Sequence, residues 1–285
     1  MSAETPSAPS APFTAVVCGI DGSGEAVVAV NQAIALAADD AKIWGVAIWN
    51  PGLATMAGIH AQEVAADLSR EAGEALVRAE EEAPRLEPIL MRASEVSGLL
   101  GAAANLQADL IAVGSHGASR VAGIFLGSVA TALAHHAPCT VLIAREREPF
   151  PGTIVLANDG SPGALDAATV AGGIAAAADA PVVALTVADK AQTDDQGIAR
   201  ANLAVREACG REVIPKTVDG EPHRRIVEAI EEIGPGLVVV GSRGLTGLKA
   251  LGSVSERVAH RAPCSTLIVR RQVYPEIEEA PDGDG

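Results

Sequence analysis

The feature that most constrains the fold of this chain is a long segment that occurs twice. Residues 110–145 read LIAVGSHGASRVAGIFLGSVATALAHHAPCTVLIAR, and residues 237–270 read LVVVGSRGLTGLKALGSVSERVAHRAPCSTLIVR. Each copy begins and ends with an uninterrupted apolar run, which is typical of a strand covered on both faces, as in a parallel sheet. A glycine-rich loop, a helical stretch and a proline lie between the runs. The segment therefore predicts a strand, a loop, a helix and a second strand in each half.

The remainder of the chain repeats as well, so the whole sequence divides into two similar halves. Residues 13–37 match residues 153–177, and each stretch has an apolar strand, an Asp-Gly-Ser turn and an alanine-rich helix. Apolar positions spaced three and four apart, alternating with short apolar runs, predict the other helices and strands. In the first half these are strand 43–49, helix 61–82, strand 87–92 and helix 95–106, and in the second half strand 181–188, helix 192–208, strand 212–218 and helix 222–233.

Alternation of strands and helices is typical of parallel sheets with right-handed crossovers. We therefore expect an α/β protein of two tandem Rossmann-like domains, each with a five-stranded parallel sheet and helices on both faces. A cluster of charge, proline and glycine at residues 146–152 marks the boundary between them, and only the first half has an extra loop, at residues 51–60. The predicted division is a disordered tail (1–12), a first domain (13–147), a second domain (148–271) and an acidic tail (272–285).

The composition restricts the classes of function. The formal net charge of −15 disfavours nonspecific binding of DNA or RNA, which needs a cationic surface. The amino terminus lacks the basic and apolar regions of a secretory signal, and we expect no stretch that spans a bilayer. The four cysteines have no CxxC spacing, and Cys139 and Cys264 occupy equivalent places before a buried strand. We therefore expect buried thiols in a cytoplasmic protein.

Two kinds of motif lie where strands are predicted to end. Asp21 and Asp159 follow the first strand of each half, and a glycine loop follows each fourth strand. Ligands of parallel α/β sheets bind beyond the carboxyl ends of the strands. If the first and fourth strands are neighbours, loop N–H groups would hold phosphates, the aspartate would hold a ribose hydroxyl or Mg²⁺, and apolar strand ends would surround a base. Neither loop is a Walker A or a G-x-G-x-x-G motif.

The two halves together resemble tandem domains of the universal stress protein family. The resemblance rests on residues 17–23 (VCGIDGS), on residues 155–161 (VLANDGS) and above all on the two long repeated segments. It covers the chain except its tails, and it implies the adenine nucleotide alpha hydrolase-like variant of the Rossmann fold, with ATP and Mg²⁺ as ligands. The nucleotide-binding branch of the family has the pattern G-x2-G-x9-G-[ST]. The first half fits this pattern, whereas the second half has only seven residues between Gly244 and Gly252.

The resemblance also implies roles for individual residues. It places Asp21 near the ribose and phosphates, Ile48 against adenine through backbone contacts, and Val113 along the base. The residues that it implies for a nucleotide site in the first half are Ile20, Asp21, Ile48, Val113, Gly114, His116, Gly117, Gly127, Ser128 and Val129. The matching residues of the second half are Asp159, Val187, Val240, Gly241, Arg243, Gly244, Gly252, Ser253, Val254 and Ser255.

At two matching positions the second half has the side chain that is more polar or more strongly charged. Arg243 can pair directly with a phosphate, whereas His116 at the matching position is only partly charged at neutral pH. Ser255 in turn has a hydroxyl that Ala130 lacks. The sequence therefore leaves open whether one half or both bind nucleotide.

The resemblance implies a stress-response regulator or sensor that binds ATP. The sequence shows no nucleophile elbow with a Ser-His-Asp order and no pair of acids tied to a cleft, so we do not expect an enzyme beyond slow, incidental ATP hydrolysis. Two alternatives remain: a protein-interaction module with empty crevices, which the short second loop favours for that half, and a sensor of a smaller adenine nucleotide such as cyclic AMP. A true ATPase or kinase has the least support.

The resemblance further implies how the two halves associate. The fifth strands, Thr140–Ala144 and Ser265–Val269, are apolar throughout and would pair about a pseudo-two-fold axis instead of leaving an exposed edge. We expect a homodimer of the tandem chain, with neither nucleic acid nor a membrane as partner. His135, His136 and His260 lie at the ends of the helices that follow the glycine loops, here called the loop helices. Histidine favourably caps carbonyl groups at such ends, and we expect no metal site there.

Overall fold

In the part of the chain that the structure describes, the two halves contribute five strands each to one continuous ten-stranded sheet. The computed structural model describes residues 12–117, 126–188, 194–242 and 251–272. The elements of the first half are β1 (Phe13–Ile20), α1 (Gly24–Leu36), β2 (Ala37–Trp49), α2 (Pro51–Thr55), a 3-10 turn (Gly58–His60), α3 (Ala61–Glu82), β3 (Leu86–Arg92), α4 (Glu95–Asn105), β4 (Leu110–Gly114), α5 (Ser128–His136) and β5 (Thr140–Ala144). The elements of the second half are β6 (Ile154–Ala157), α6 (Pro162–Ala178), β7 (Val182–Ala188), α7 (Asp195–Cys209), β8 (Ile214–Asp219), α8 (Pro222–Ile233), β9 (Leu237–Gly241), α9 (Ser253–Arg261) and β10 (Ser265–Val269).

The order of strands across the sheet is β3-β2-β1-β4-β5-β10-β9-β6-β7-β8. Neighbouring strands within each half run parallel, with β4 beside β1 and β9 beside β6. At the centre, β5 and β10 pair antiparallel, and Leu142 lies opposite Leu267. The halves are therefore related by a local two-fold axis between these two strands, which confirms the predicted pairing of the fifth strands.

Helices cover both faces of the sheet, which explains why its central strands are apolar without alternation. On one face, α1, α3, α6 and α7 form a core that includes Ala33, Leu110 and Ala171. On the other face, α4, α5, α8 and α9 form a core that includes Leu133 and Val258. Small alanine side chains let the helices approach the sheet closely, so a chain with 2% aromatic residues still fills its interior. No helix in the described ranges is long and apolar enough to cross a membrane.

Most helix boundaries agree with the sequence-based prediction. α3 and α8 have the predicted bounds, and α4 ends at Asn105, one residue earlier than predicted. α7 begins at Asp195, where the Asp194 carboxylate accepts the Gly197 N–H at 3.0 Å as an N-cap. The predicted start of that helix, residue 192, lies outside the described residues.

The extra segment of the first half, which the sequence predicts as a loop, contains a short helix and a 3-10 turn. Asn50 Oδ1 accepts the Gly52 N–H at 2.9 Å, and Pro51 occupies the first helical position. Both features favour the start of a helix. Asn50 Nδ2 also donates to the Glu95 carboxylate at 3.2 Å, so the segment is tied to the beginning of α4.

The prediction for the start of β2 is wrong. The strand begins at Ala37, directly after α1, instead of at residue 43, and its pairing with β1 contains a register shift. Arg85 holds this irregular part of the strand by donating to the carbonyls of Ala38 and Asp39. Asp39 and Asp40 are exposed residues of this part of the strand.

Two arginines at the ends of the central strands join the halves. Arg145, which follows β5, donates through Nη2 to the Ala259 carbonyl at 2.7 Å, near the end of α9. Arg270, which follows β10, makes the matching contacts with the carbonyls of Ala134 and Ala137 at the end of α5. Each guanidinium therefore caps the loop helix of the opposite half at the end where the helix dipole favours a cation.

Three of the four cysteines are buried and Cys209 is partly exposed. Burial raises the pKa of Cys18 to about 12 and that of Cys264 to about 11. Because the thiolate is the reactive form, we expect a thiol reagent at about pH 8 to modify only Cys209 in the native protein and all four cysteines after unfolding. Counts of modified thiols in the wild type and in Cys209→Ser measure this. Rapid modification of native Cys209→Ser would contradict the expectation.

Candidate functional site

β1 and β4 lie side by side, as the site hypothesis requires, and a crevice opens beyond their carboxyl ends. The crevice has a volume of about 790 Å³ and is formed by residues of the first half. All the site residues predicted for that half line it: Ile20, Asp21, Ile48, Val113, Gly114, His116, Gly117, Gly127, Ser128 and Val129. The crevice also includes Val46, Glu95, Leu99 and Leu126, which the sequence did not single out.

Asp21 is held at this crevice by the turn that follows β1. Its Oδ1 accepts the Ser23 N–H at 3.0 Å and the Ser23 hydroxyl at 2.5 Å. Gly22 has a φ of +77°, which glycine adopts without strain, and Ser23 caps α1 by accepting the Ala26 N–H at 3.2 Å. The Asp-Gly-Ser sequence therefore fixes the position of the aspartate carboxylate relative to the start of α1.

The glycine loop brings its backbone against this carboxylate. A methyl group built on Gly117 would lie 2.8 Å from Asp21 Oδ2, so glycine is what allows the close approach. At the base of the loop, the Gly127 N–H donates to the Ser115 carbonyl at 2.8 Å. Gly127 is also the N-cap of α5, whose first turn has no side-chain cap, and such a helix start is suited to bind an anion. Residues 118–125 of the loop lie outside the described part of the chain.

Glu25, which the sequence did not single out, reaches the same loop. Its Oε2 accepts the backbone N–H of His116 at 2.8 Å and lies 3.7 Å from His116 Nδ1. His116 Nδ1 is also 3.0 Å from the Ser115 hydroxyl, whereas Nε2 is buried and has no hydrogen-bond partner among the described residues. The imidazole is therefore held against the loop, and a carboxylate of the chain itself occupies one of the loop's N–H donors.

Another part of the crevice is lined by aliphatic side chains. Ile48 and Val113 come from the ends of β2 and β4, and Leu99 comes from α4. A methyl group built on Gly98 would lie 2.5 Å from Ile48 Cδ1, so this glycine makes room for the isoleucine. The crevice thus combines carboxylates and backbone donors with apolar walls, an arrangement that suits a ligand with an anionic part and a flat, largely apolar part.

The second half repeats the turn and the closure of the loop. Asp159 Oδ1 accepts the Ser161 N–H at 3.0 Å, as Asp21 does from Ser23. The Gly252 N–H donates to the Ser242 carbonyl at 2.8 Å, the same distance as between Gly127 and Ser115. The repeated sequence therefore produces the same local geometry in both halves of the sheet.

The predicted residues of the second half lie at the corresponding strand and helix ends, as far as they are described. Arg243 and Gly244 lie outside the described residues. The Ser255 hydroxyl donates to the Gly241 carbonyl at 2.6 Å, so the hydroxyl that distinguishes this half ties α9 to β9. The other predicted residues at these ends are Asp159, Val187, Val240, Gly252, Ser253 and Val254.

Two differences separate the strand and helix ends of the second half from those of the first. The second residue of α1 is Glu25, whereas the second residue of α6 is Gly163. The fourth residue of α4 is Gly98, whereas the fourth residue of α8 is Arg225, which forms an ion pair with Glu228. The second half therefore lacks the carboxylate at the loop and has a cation at the position where a glycine of the first half makes room for Ile48. A comparison of the two repeats position by position would have revealed both differences.

One histidine near the end of α5, His135, lies at the contact between the halves. His135 Nε2 of α5 is 3.3 Å from Glu256 Oε1 of α9. Burial lowers the pKa of His260, which favours its neutral form. Within the described residues, no group of three or more His, Cys, Asp or Glu side chains is placed to hold a metal ion. His135 therefore connects α5 of the first half with α9 of the second, whereas His136 is exposed.

Comparison with known proteins identifies relatives along almost the whole chain. A sequence model of the "Universal stress protein family" matches residues 12–145 and 152–270. A universal stress protein of Mycobacterium tuberculosis strain H37Rv is 29% identical, over 90% of this chain and 97% of its own. Another, from Methanocaldococcus jannaschii, is 32% identical over 45% of this chain and 88% of its own.

A solved structure shows the same fold. The crystal structure of a universal stress protein from Archaeoglobus fulgidus DSM 4304 matches with a TM-score of 0.70 and 24% identity, over 90% of this chain and 96% of that one. The family match covers most of the chain and occurs once in each half. This chain therefore belongs to the universal stress protein family, as a member with two tandem domains.

Proposed function

We propose that the first half binds an adenine nucleotide, ATP, and that the protein acts as a stress-response sensor or regulator. The observation that carries the proposal is the crevice of about 790 Å³, in which Asp21 and the glycine loop lie beside aliphatic walls. Small-molecule sites have volumes of roughly 300–1,000 Å³, so the space is adequate for a nucleotide. Phosphates would accept from the loop and the first turn of α5, a ribose hydroxyl would donate to Asp21, and adenine would contact Ile48 and Val113.

The side chains beside the loop also fit Mg²⁺. Asp21 and Glu25 present carboxylate oxygens, and Mg²⁺ is usually held by one or two carboxylates together with substrate phosphates. Because the described residues contain no cluster of three potential ligands, the ion would have to be shared with the nucleotide. We therefore propose magnesium-bound ATP as the form that binds.

We propose binding without efficient turnover. Hydrolysis of a phosphate needs a group that orients or deprotonates the attacking water. His116 is poorly placed for this, because its Nδ1 is close to the Ser115 hydroxyl and its Nε2 is buried. Release of inorganic phosphate by the purified protein should therefore be slow compared with nucleotide exchange.

The experiment identifies the bound nucleotide and measures the number of nucleotide molecules bound per chain. Chromatography of the supernatant after denaturation of the purified protein would reveal retained nucleotide, and calorimetric titration would compare Mg-ATP, ADP and cyclic AMP. We expect Mg-ATP to bind with one molecule per chain, because Gly163 and Arg225 change the second crevice. Tighter binding of cyclic AMP would favour a sensor of that smaller nucleotide. Absence of binding at about millimolar concentrations, a free energy weaker than about −4 kcal/mol, would overturn the proposal.

A second candidate function is a protein-interaction module that needs no nucleotide. The extra segment of the first half exposes large apolar side chains, with Leu53 52%, Met56 85% and Ile59 96% exposed. Apolar groups clustered on a surface favour contact with another protein. Failure of every nucleotide titration on a folded protein would favour this candidate over the first.

A further inference from the structure

Glu25 lies where α1 meets the glycine loop of the first half. It is the second residue of α1, and its side chain is 23% exposed. A methyl group built on Gly114 would lie 2.9 Å from Glu25 Cβ, so the end of β4 packs directly against this residue. Backbone packing therefore keeps the Glu25 carboxylate beside the loop while leaving it partly accessible to solvent.

The Glu25 carboxylate makes a contact of the kind that phosphate oxygens make with backbone N–H groups. Its Oε2 accepts the backbone N–H of His116 at 2.8 Å. Backbone N–H groups in such loops bind anions, and a carboxylate satisfies them in the same way as a phosphate does. Asp21 Oδ2 lies beside the following residue, Gly117. Two carboxylates of the chain therefore face neighbouring residues of the loop that is proposed to hold phosphates.

The second half lacks this arrangement. Gly163 occupies the position that corresponds to Glu25, and the backbone of α6 packs directly on the end of β9 there. A methyl group built on Gly241 would lie 2.6 Å from the Gly163 carbonyl carbon. A carboxylate is thus not needed to pack the first helix of a half against the end of its fourth strand. Packing therefore does not explain the presence of Glu25 in the first half.

We propose that Glu25 is an internal anion that occupies the glycine loop of the first half and competes with nucleotide phosphates for it. This inference rests on the proposed nucleotide binding. Metal-free ATP would have to displace the Glu25 carboxylate and lie beside two negative charges, which disfavours its binding. Mg²⁺ reduces the charge of the phosphates and is itself attracted by the two carboxylates. Glu25 therefore makes this site select metal-bound over metal-free nucleotide.

The test uses calorimetric titration of the full chain with ATP in Mg²⁺, with ATP in EDTA, and with inorganic tripolyphosphate in EDTA as a probe without a base. The variants are Glu25→Gln, which keeps an acceptor but removes the charge, and Glu25→Ala, which frees the N–H. Glu63→Gln is the matched control, because it removes the same charge from an exposed side chain of α3. We expect both Glu25 variants to bind metal-free ATP and tripolyphosphate about tenfold more tightly, a gain typical of removing a like charge from an anion site. Binding of Mg-ATP should not tighten in these variants, because they also lose a carboxylate that attracts Mg²⁺, and Glu63→Gln should behave as the wild type.

The outcomes separate this inference from the proposed function. If the folded wild type binds no nucleotide with or without Mg²⁺, the proposed function fails and this inference fails with it. If the wild type binds Mg-ATP but both Glu25 variants bind metal-free ATP no more tightly, only the role of Glu25 is overturned. Weaker binding of metal-free ATP by Glu25→Ala, with unchanged binding of metal-free ATP by Glu25→Gln, would also overturn it. The hydrogen bond from the His116 N–H would then support the loop instead of competing with the phosphates.

Discussion

Replacement of Gly117 by alanine should weaken the binding of Mg-ATP by on the order of 30-fold, or about 2 kcal/mol, without unfolding the protein. The new methyl group would lie 2.8 Å from Asp21 Oδ2 and 4.0 Å from Asp21 Cγ. The first distance is too short to persist, and the atom that must move is the end of a side chain. The Asp21 carboxylate would therefore turn away from the loop, and the nucleotide would lose a charged hydrogen-bond partner.

Two other glycine variants sharpen this experiment. Gly101→Ala is the matched control, because a methyl group on this residue of α4 meets no atom within 4 Å and should leave binding unchanged. Gly114→Ala is a poorer probe, since its methyl group would meet the His116 carbonyl oxygen at 3.0 Å and the Glu25 backbone at 3.1 Å. Dissociation constants from calorimetry, with melting curves for each variant, provide the measurement. An unchanged dissociation constant for Gly117→Ala would show that nucleotide binding does not depend on the contact between Asp21 and the loop.

The fold was largely predictable because the sequence repeats its strongest signals. The long apolar runs and glycine loops at residues 110–145 and 237–270 indicate buried parallel strands in each half, and the structure places them as β4, β5, β9 and β10. The apolar fifth strands would also leave an exposed sheet edge if they were unpaired, and the antiparallel pairing of β5 with β10 removes that edge. Patterns of this kind depend on residues close in sequence, so a single chain suffices to recognise them.

The parts that sequence did not predict depend on contacts between distant residues. The irregular start of β2 is held by Arg85, more than forty residues further along the chain. The Glu25 carboxylate meets the His116 N–H across a separation of 91 residues, and α1 alone gives no sign of that contact. An acid in the first turn of a helix interacts favourably with the helix dipole, so the sequence of α1 does not point to a distant contact. Only the packing of α1 against the end of β4 shows that Glu25 lies at the site.

Replacement of Arg145 by methionine should lower the free energy of unfolding by about 2–4 kcal/mol. Its guanidinium donates to the Ala259 carbonyl of α9 at 2.7 Å, and its backbone N–H donates to the Ser265 hydroxyl at 3.0 Å. Burial lowers the pKa of Arg145, so keeping this cation between the halves has a desolvation cost that the carbonyl groups of α9 offset. Methionine has a similar length but no donor. The Ala259 carbonyl would therefore lose its partner, and the C-terminus of α9 would lose a favourable charge.

Urea titration followed by two signals measures both the loss of stability and its location. The only tryptophans, Trp44 and Trp49, belong to β2, so fluorescence reports on the first half, whereas circular dichroism reports on both halves. Because Arg145 connects the first half to α9 of the second, we expect transitions that coincide in the wild type to separate in Arg145→Met. Arg70→Met is the control. This arginine pairs with acids on the exposed surface of α3, and such pairs contribute little to the free energy of unfolding. Coincident transitions of Arg145→Met at the wild-type midpoint would show that the two halves are held together without this guanidinium.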